Sequence, residues 1–129
     1  MHELGVVFYV VKDVKKVAEE NHVEKVSAVT LEIGEVSGIL HDYLTDCWNW
    51  AKKKEPLMEE AELKIEQIEA VTFCEECQKE YPTVEHGKIC PYCGSENTYL
   101  LRGNEFLIKE IEVSDGKISV LPIVNRFDR

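Results

Sequence analysis

Cys74-Glu75-Glu76-Cys77 and Cys90-Pro91-Tyr92-Cys93-Gly94 set four thiols in two tight pairs, with twelve residues between the inner two. A hairpin-like loop of that length can bring both pairs to one point. Four thiolates so spaced suit a closed tetrahedral site, with zinc as the default occupant. Pro91 and Gly94 suit the sharp turn that aims backbone amides at sulfur. A site closed by Cys74, Cys77, Cys90 and Cys93 leaves no open position for chemistry. Its role is structural.

A second arrangement of donors lies at the N-terminus. A free Met1 amine, the amide nitrogen between residues 1 and 2, and His2 Nδ1 form fused five- and six-membered chelate rings. Three nitrogens in one plane suit Ni(II) or Cu(II), which favour tetragonal geometry. The amine and the amide must both lose protons, so affinity falls as pH drops. The fourth position stays open, as a carrier that must let go of its ion requires. Glu3 can hydrogen-bond the imidazole, supply the fourth donor, or favour the positive end of a helix. His22, His41 and His86 read as solvated, with His86 in the metal loop the one that lies nearest to a site. Cys47, left over from the pairs, falls among Leu44, Trp48 and Ala51 at helical spacing and reads as a small buried hydrophobe.

These groups need a scaffold. Leu4, Val7, Val11, Val14 and Ala18 recur at three- and four-residue steps, which makes residues 1–20 an amphipathic helix despite the strand propensity of Val6 to Val11. Residues 25–33 alternate, with Val29, Leu31 and Ile33 on one face, and describe a half-buried strand ended by Gly34. Leu40, Leu44, Cys47, Trp48 and Ala51 form one stripe over residues 38–54, giving a second helix with Ser37 as its cap and Pro56 as its stop. Residues 61–70 alternate again and slip phase near Ile68, which suggests a bulge. A metal loop over 71–98 follows, then a turn at Gly103-Asn104 and a strand from Glu105 to Val113. Asp115-Gly116 signals a hairpin into a last strand near 117–121, which Pro122 limits to an edge, and the tail from Asn125 is expected to fray.

The predicted fold is α+β: two helices packed on a small three-stranded sheet, with an inserted four-cysteine zinc-ribbon module. Residues 1–70 with 99–113 make the core domain, 71–98 the zinc module, and 114–129 an extension that offers an extra edge strand. Charge restricts the partners. The chain has 25 acidic against 15 basic residues, a net −10, which repels phosphate backbones and argues against nucleic acid. Met1-His2-Glu3-Leu4 has no cationic leader, and no segment approaches a membrane span, so a reducing cytoplasm is expected. No nucleophile–base pair, phosphate-binding glycine loop or carboxylate cleft stands out, so the chain does not read as an enzyme.

Met1-His2-Glu3, Ile33-Gly34-Glu35, the two cysteine pairs and Gly103-Asn104-Glu105, in that order over residues 1–113, resemble the HypA/HybF family of nickel-incorporation proteins. That resemblance implies Ni(II) cargo at His2 and the N-terminal amine. It also implies structural zinc at Cys74, Cys77, Cys90 and Cys93. It further implies a HypB-type GTPase and the NiFe-hydrogenase large-subunit precursor as partners, with urease as another client. The extension beyond Val113 departs from the family pattern. Two other readings stay open. Cys-Pro-Tyr-Cys-Gly resembles a rubredoxin knuckle, which implies iron and electron transfer, and a plain zinc-ribbon interaction module needs no nickel at all.

Overall fold

The computed structural model describes residues 3–120. The expected nitrogen donors of Met1 and His2, Pro122 and the tail from Asn125 lie outside the described residues. The first helix, α1, spans Glu3–Glu20 and buries Val6, Val7, Val10, Val11, Val14 and Ala18. The helical period thus overrides the strand propensity of its valines. Leu4, expected on the buried stripe, faces outward, and Val6 and Val10 take the inner positions instead. Phe8, also outward, meets Trp50 edge-on with ring centroids 6.3 Å apart.

Strand β1 (Ala28–Gly34) is the centre of the main sheet. Helix α2 (His41–Ala51) provides the crossover that lets β2 (Glu62–Ile68) run parallel to β1. Strand β6 (Phe106–Val113) pairs antiparallel on the other side of β1. The three strands expected to share a sheet therefore do so, and a fourth joins them. Strand β7 (Gly116–Ser119) is that fourth, paired with β6 and supplied by the C-terminal extension. Its turn is Ser114-Asp115, with Gly116 already opposite Val113. The hairpin signal was therefore one residue late.

Both helices pack on one face of this sheet. Val29, Leu31, Ile33, Phe106, Ile108 and Ile111 meet the α1 valines, Leu44 and Trp48 in one core. Trp48 is fully buried, and its Nε1–H donates to the Ala61 carbonyl at 2.9 Å. Cys47 is buried beside it, a small hydrophobe as expected. Two readings of α2 need correction. Ser37 does not cap the helix; its Oγ accepts from the Ile39 N–H at 3.2 Å, four residues before α2 begins. Leu40 is the residue that precedes the first turn, and it is 66% exposed rather than part of the stripe.

The opposite face explains why β1 is more than half-buried. Ala28 and Thr30 point away from the helices yet are 3% exposed. Lys64 on β2 reaches Glu112 on β6 at 2.8 Å, and Lys109 on β6 reaches Glu66 on β2 at 2.9 Å. Both pairs span β1, and their long aliphatic stems cover it while the charges stay in water. The hydrogen bond from Lys64 holds the Glu112 carboxyl below its ordinary value. No bulge occurs at Ile68, where the β1–β2 register is unbroken. The irregularities fall between Thr30 and Leu31 opposite β6, and between Val71 and Thr72 in the second sheet.

That second sheet is the metal module. Strands β3 (Val71–Cys74), β4 (Glu80–Pro82) and β5 (Thr98–Arg102) take the order β4-β3-β5, with one helical turn, α3 (Thr83–His86), after β4. A segment read as loop is thus largely a small antiparallel sheet. Its strands of three to five residues are too short to show a period.

Candidate metal centre

Each cysteine pair sits on a tight knuckle, and the two knuckles match bond for bond. The N–H of Cys74 donates to the Lys79 carbonyl at 2.9 Å, and the N–H of Cys90 donates to the Ser95 carbonyl at 2.9 Å. Gln78 N–H returns to Cys74 O and Gly94 N–H to Cys90 O, each at 2.8 Å. The residue after each second cysteine is left-handed, Gln78 at φ 62° and Gly94 at φ 78°. Gly94 adopts that conformation freely; Gln78 does so against its Cβ. Cys-Glu-Glu-Cys-Gln therefore folds as Cys-Pro-Tyr-Cys-Gly does, although it lacks the Pro and Gly that signalled the turn. The matching five-residue spacing was the one clue.

A direct consequence is testable. Gln78→Gly relieves about 1–2 kcal/mol of left-handed strain and gives back about 0.5–1 through chain entropy. Thermal melting of the metal-loaded protein should therefore show a net gain of about 0.5–1 kcal/mol. A lower melting temperature would contradict the strain argument.

The four Sγ atoms lie within 4.8 Å of one another, with Cys74–Cys93 and Cys77–Cys90 both at 3.6 Å. Sulfurs at about 2.3 Å from a tetrahedral ion would stand about 3.8 Å apart, so the quartet fits one such ion. The Tyr92 N–H points at Cys90 Sγ at 3.4 Å. Burial pushes the Cys77 thiol up to about 12, with hydrogen bonds to Cys90 and Cys74 adding to the rise. Cys90 moves down to about 7: burial opposes its thiolate too, but the N–H groups of Tyr92 and Cys93 outweigh it. Four thiolates this close repel one another, and a divalent cation converts that repulsion into binding.

None of the histidines among the described residues joins this quartet. His86, at the end of α3, stacks its ring edge-on against Tyr81 with centroids 5.9 Å apart. His22 is exposed beyond α1, and His41 is the half-buried first residue of α2. Glu3 is the described member of the N-terminal group. It is 6% exposed, and its Oε2 accepts the Leu40 N–H at 2.9 Å. Sequence spacing offered no hint of that partner, 37 residues away.

A family profile described as "Hydrogenase/urease nickel incorporation, metallochaperone, hypA" matches residues 1–113. The chain belongs to the HypA family. Among its HypA relatives, the hydrogenase maturation factor HypA of Chlorobium phaeobacteroides is 35% identical over 113 residues, covering 88% of this chain and 99% of that protein. That of Geobacter metallireducens is 36% identical over 113 residues, with the same coverage. The solution structure of the nickel metallochaperone HypA from Helicobacter pylori shares the fold, at TM-score 0.66 and 24% identity, over 88% of this chain and 97% of that one. HypA proteins are maturation factors that handle nickel, and the cysteine quartet of this HypA chain is a site able to hold a metal ion. Strand β7 lies beyond the HypA match. Among the described residues no helix is long and apolar enough to cross a membrane.

Proposed function

We propose that this chain is a nickel metallochaperone. It takes up Ni(II) at its N-terminus and delivers it for the maturation of NiFe-hydrogenase, with urease as a second client. The observation that carries this reading is the match of residues 1–113 to the nickel-incorporation family. The cysteine quartet supports it indirectly: a ring of four thiolates has no open position, so cargo that must be released needs another site. The nitrogens of Met1 and His2 supply that site in this reading, with Glu3 next in sequence. Three nitrogen donors suit nickel, and the open fourth position suits transfer.

Zinc at Cys74, Cys77, Cys90 and Cys93 is then structural. Bound there, it supplies charge neutralisation and a cross-link rather than reaction chemistry. Residues 1–70 with 103–113 form the nickel-binding unit, residues 71–102 the zinc unit, whose third strand β5 runs past the boundary at residue 98 expected from sequence, and residues 114–129 an added segment. The chain binds and hands over; it does not catalyse. A HypB-type GTPase and the hydrogenase large-subunit precursor are its partners in the cytoplasm.

Calorimetric titration of tag-free, zinc-loaded protein with Ni(II) tests the reading. One equivalent is expected, and none after acetylation of the Met1 amine. The zinc-loaded protein should be colourless, where an iron quartet would be red. Nickel uptake that survives acetylation, or that appears only on sulfur, would end the proposal.

A further inference from the structure

Gly34-Glu35 and Gly103-Asn104-Glu105 lie outside the cysteine quartet, yet they meet at one place in the fold. The chain enters the metal module at residues 69–70 and leaves it at 103–105, and both crossings are fastened to residues 34–36. Gly34 N–H donates to Glu105 O, Glu35 N–H to Ile68 O, and Val36 N–H to Gly103 O, each at 2.8 Å. The Glu35 carboxylate accepts the Ala70 N–H at 2.9 Å, and the Glu105 carboxylate accepts the Gly103 N–H at 2.8 Å. The approach is so close that a Cβ on Gly34 would stand 2.0 Å from the Gly103 carbonyl oxygen. A Cβ on Gly103, at φ 122°, would stand 2.4 Å from Ala70 Cα. Glycine is required at both.

From this clasp the chain runs only a few residues to the N-terminal helix. Ser37 N–H returns to Gly34 O at 3.1 Å, Ile39 is buried in the main core, and Leu40 N–H ends on Glu3 Oε2. A single hydrogen-bonded segment therefore links the mouth of the metal module to the first turn of α1. One carboxylate holds each end.

We propose that residues 35–40 act as a strut between the metal module and the N-terminus, with Glu35 and Glu3 as its anchoring side chains. Glu35 is then a positioning residue for nickel binding, although it lies at the module entrance; this rests on the nickel reading above. The Leu40 N–H fixes the Glu3 carboxylate at the first turn of α1, next in sequence to the proposed donors. Loss of the Glu35 carboxylate leaves only the backbone bonds of Glu35 and Val36 at the near end of the strut, so the strut loosens and nickel binding at the far end weakens.

Glu35→Ala in the full-length, zinc-loaded chain is the test. Nickel affinity should fall about threefold to tenfold at unchanged stoichiometry and unchanged zinc content. Amide exchange at Leu40, followed by NMR, should accelerate in the same variant. Glu35→Gln, which keeps a carbonyl acceptor for the Ala70 N–H, should stay within about twofold of the parent. If Glu35→Ala does not fold, Glu35→Asp, one methylene too short to reach, takes its place. A variant that melts earlier but binds nickel as the parent does overturns the proposal, whatever Leu40 does. Should the parent itself take up no nickel at its N-terminus, the nickel reading fails separately, and the strut stands or falls on Leu40 exchange alone.

Discussion

Cys74→Ser should cost the metal module its fold and leave the main core standing. The module has almost no apolar interior: its buried cluster is Cys74, Tyr81 and Cys90, with Cys77 packed against them. Three short strands around such a cluster cannot offset the entropy of ordering some thirty residues. The ion must supply the difference, and structural zinc contributes about 10–16 kcal/mol in small zinc-binding peptides. Cys74 is a consequential ligand to remove, because its side chain is fully buried and its strand, β3, joins β4 to β5. The main core shares none of these residues. Heteronuclear NMR should therefore show collapsed dispersion for residues 71–102 with the α1, α2 and main-sheet resonances retained, and metal analysis should show loss of the bound zinc. A variant that keeps one equivalent of zinc and its dispersed module peaks would show that sulfur ligation does not hold this sheet together.

The main domain was legible because its elements are long enough for their periods to show. The valines of α1 repeat at helical steps over eighteen residues, and Val29, Leu31 and Ile33 alternate over a strand that ends at Gly34, as expected. What escaped was set by neighbours rather than by local pattern. Ser37 is a fair cap by residue type, but the cap position is taken by Leu40, whose amide finds its acceptor on Glu3 in another helix. Thr30 is polar and faces away from the helices, and it is buried only because lysine stems from β2 and β6 cross over it. The strand β5 went unread because Thr98 to Arg102 has no clean alternation and its pairing partner, β3, lies more than twenty residues earlier.

The site divides along the same line. A Cys-x-x-C pair is a local signal, since the knuckle it builds closes within six residues, and the structure brings all four thiols together. Pro and Gly announced the second knuckle, whereas the first forms without them because the β3–β4 pairing and the Cys74–Lys79 bond hold Gln78 in a strained turn. Glu35 and Glu105 were visible as part of a resemblance but carried no physical meaning in sequence. Their role depends on two crossings of the chain that only the folded molecule places side by side.

His2→Ala should abolish the nickel equivalent while zinc content and melting temperature match those of the parent. The imidazole is one of three nitrogen donors in the proposed site, and even an outer-shell partner of a ligand is worth about 10–100-fold in metal affinity. Loss of the ligand itself should exceed about 100-fold, which removes binding at ordinary titration concentrations. The pH profile of the parent separates this site from the sulfur quartet. Coordination displaces the amide proton at every pH, and below the ordinary α-amino value of about 7.7–8.0 it displaces the amine proton as well. On acidification, affinity should therefore fall by about tenfold per unit above pH 8, and by about a hundredfold per unit between pH 7.7 and 6.5. The direction follows from proton release: each proton that nickel must displace makes acid a competitor. A His2→Ala protein that still takes one nickel with this two-proton profile would place the site elsewhere. A parent whose affinity is flat across that window would show that the terminal amine and amide are not donors at all.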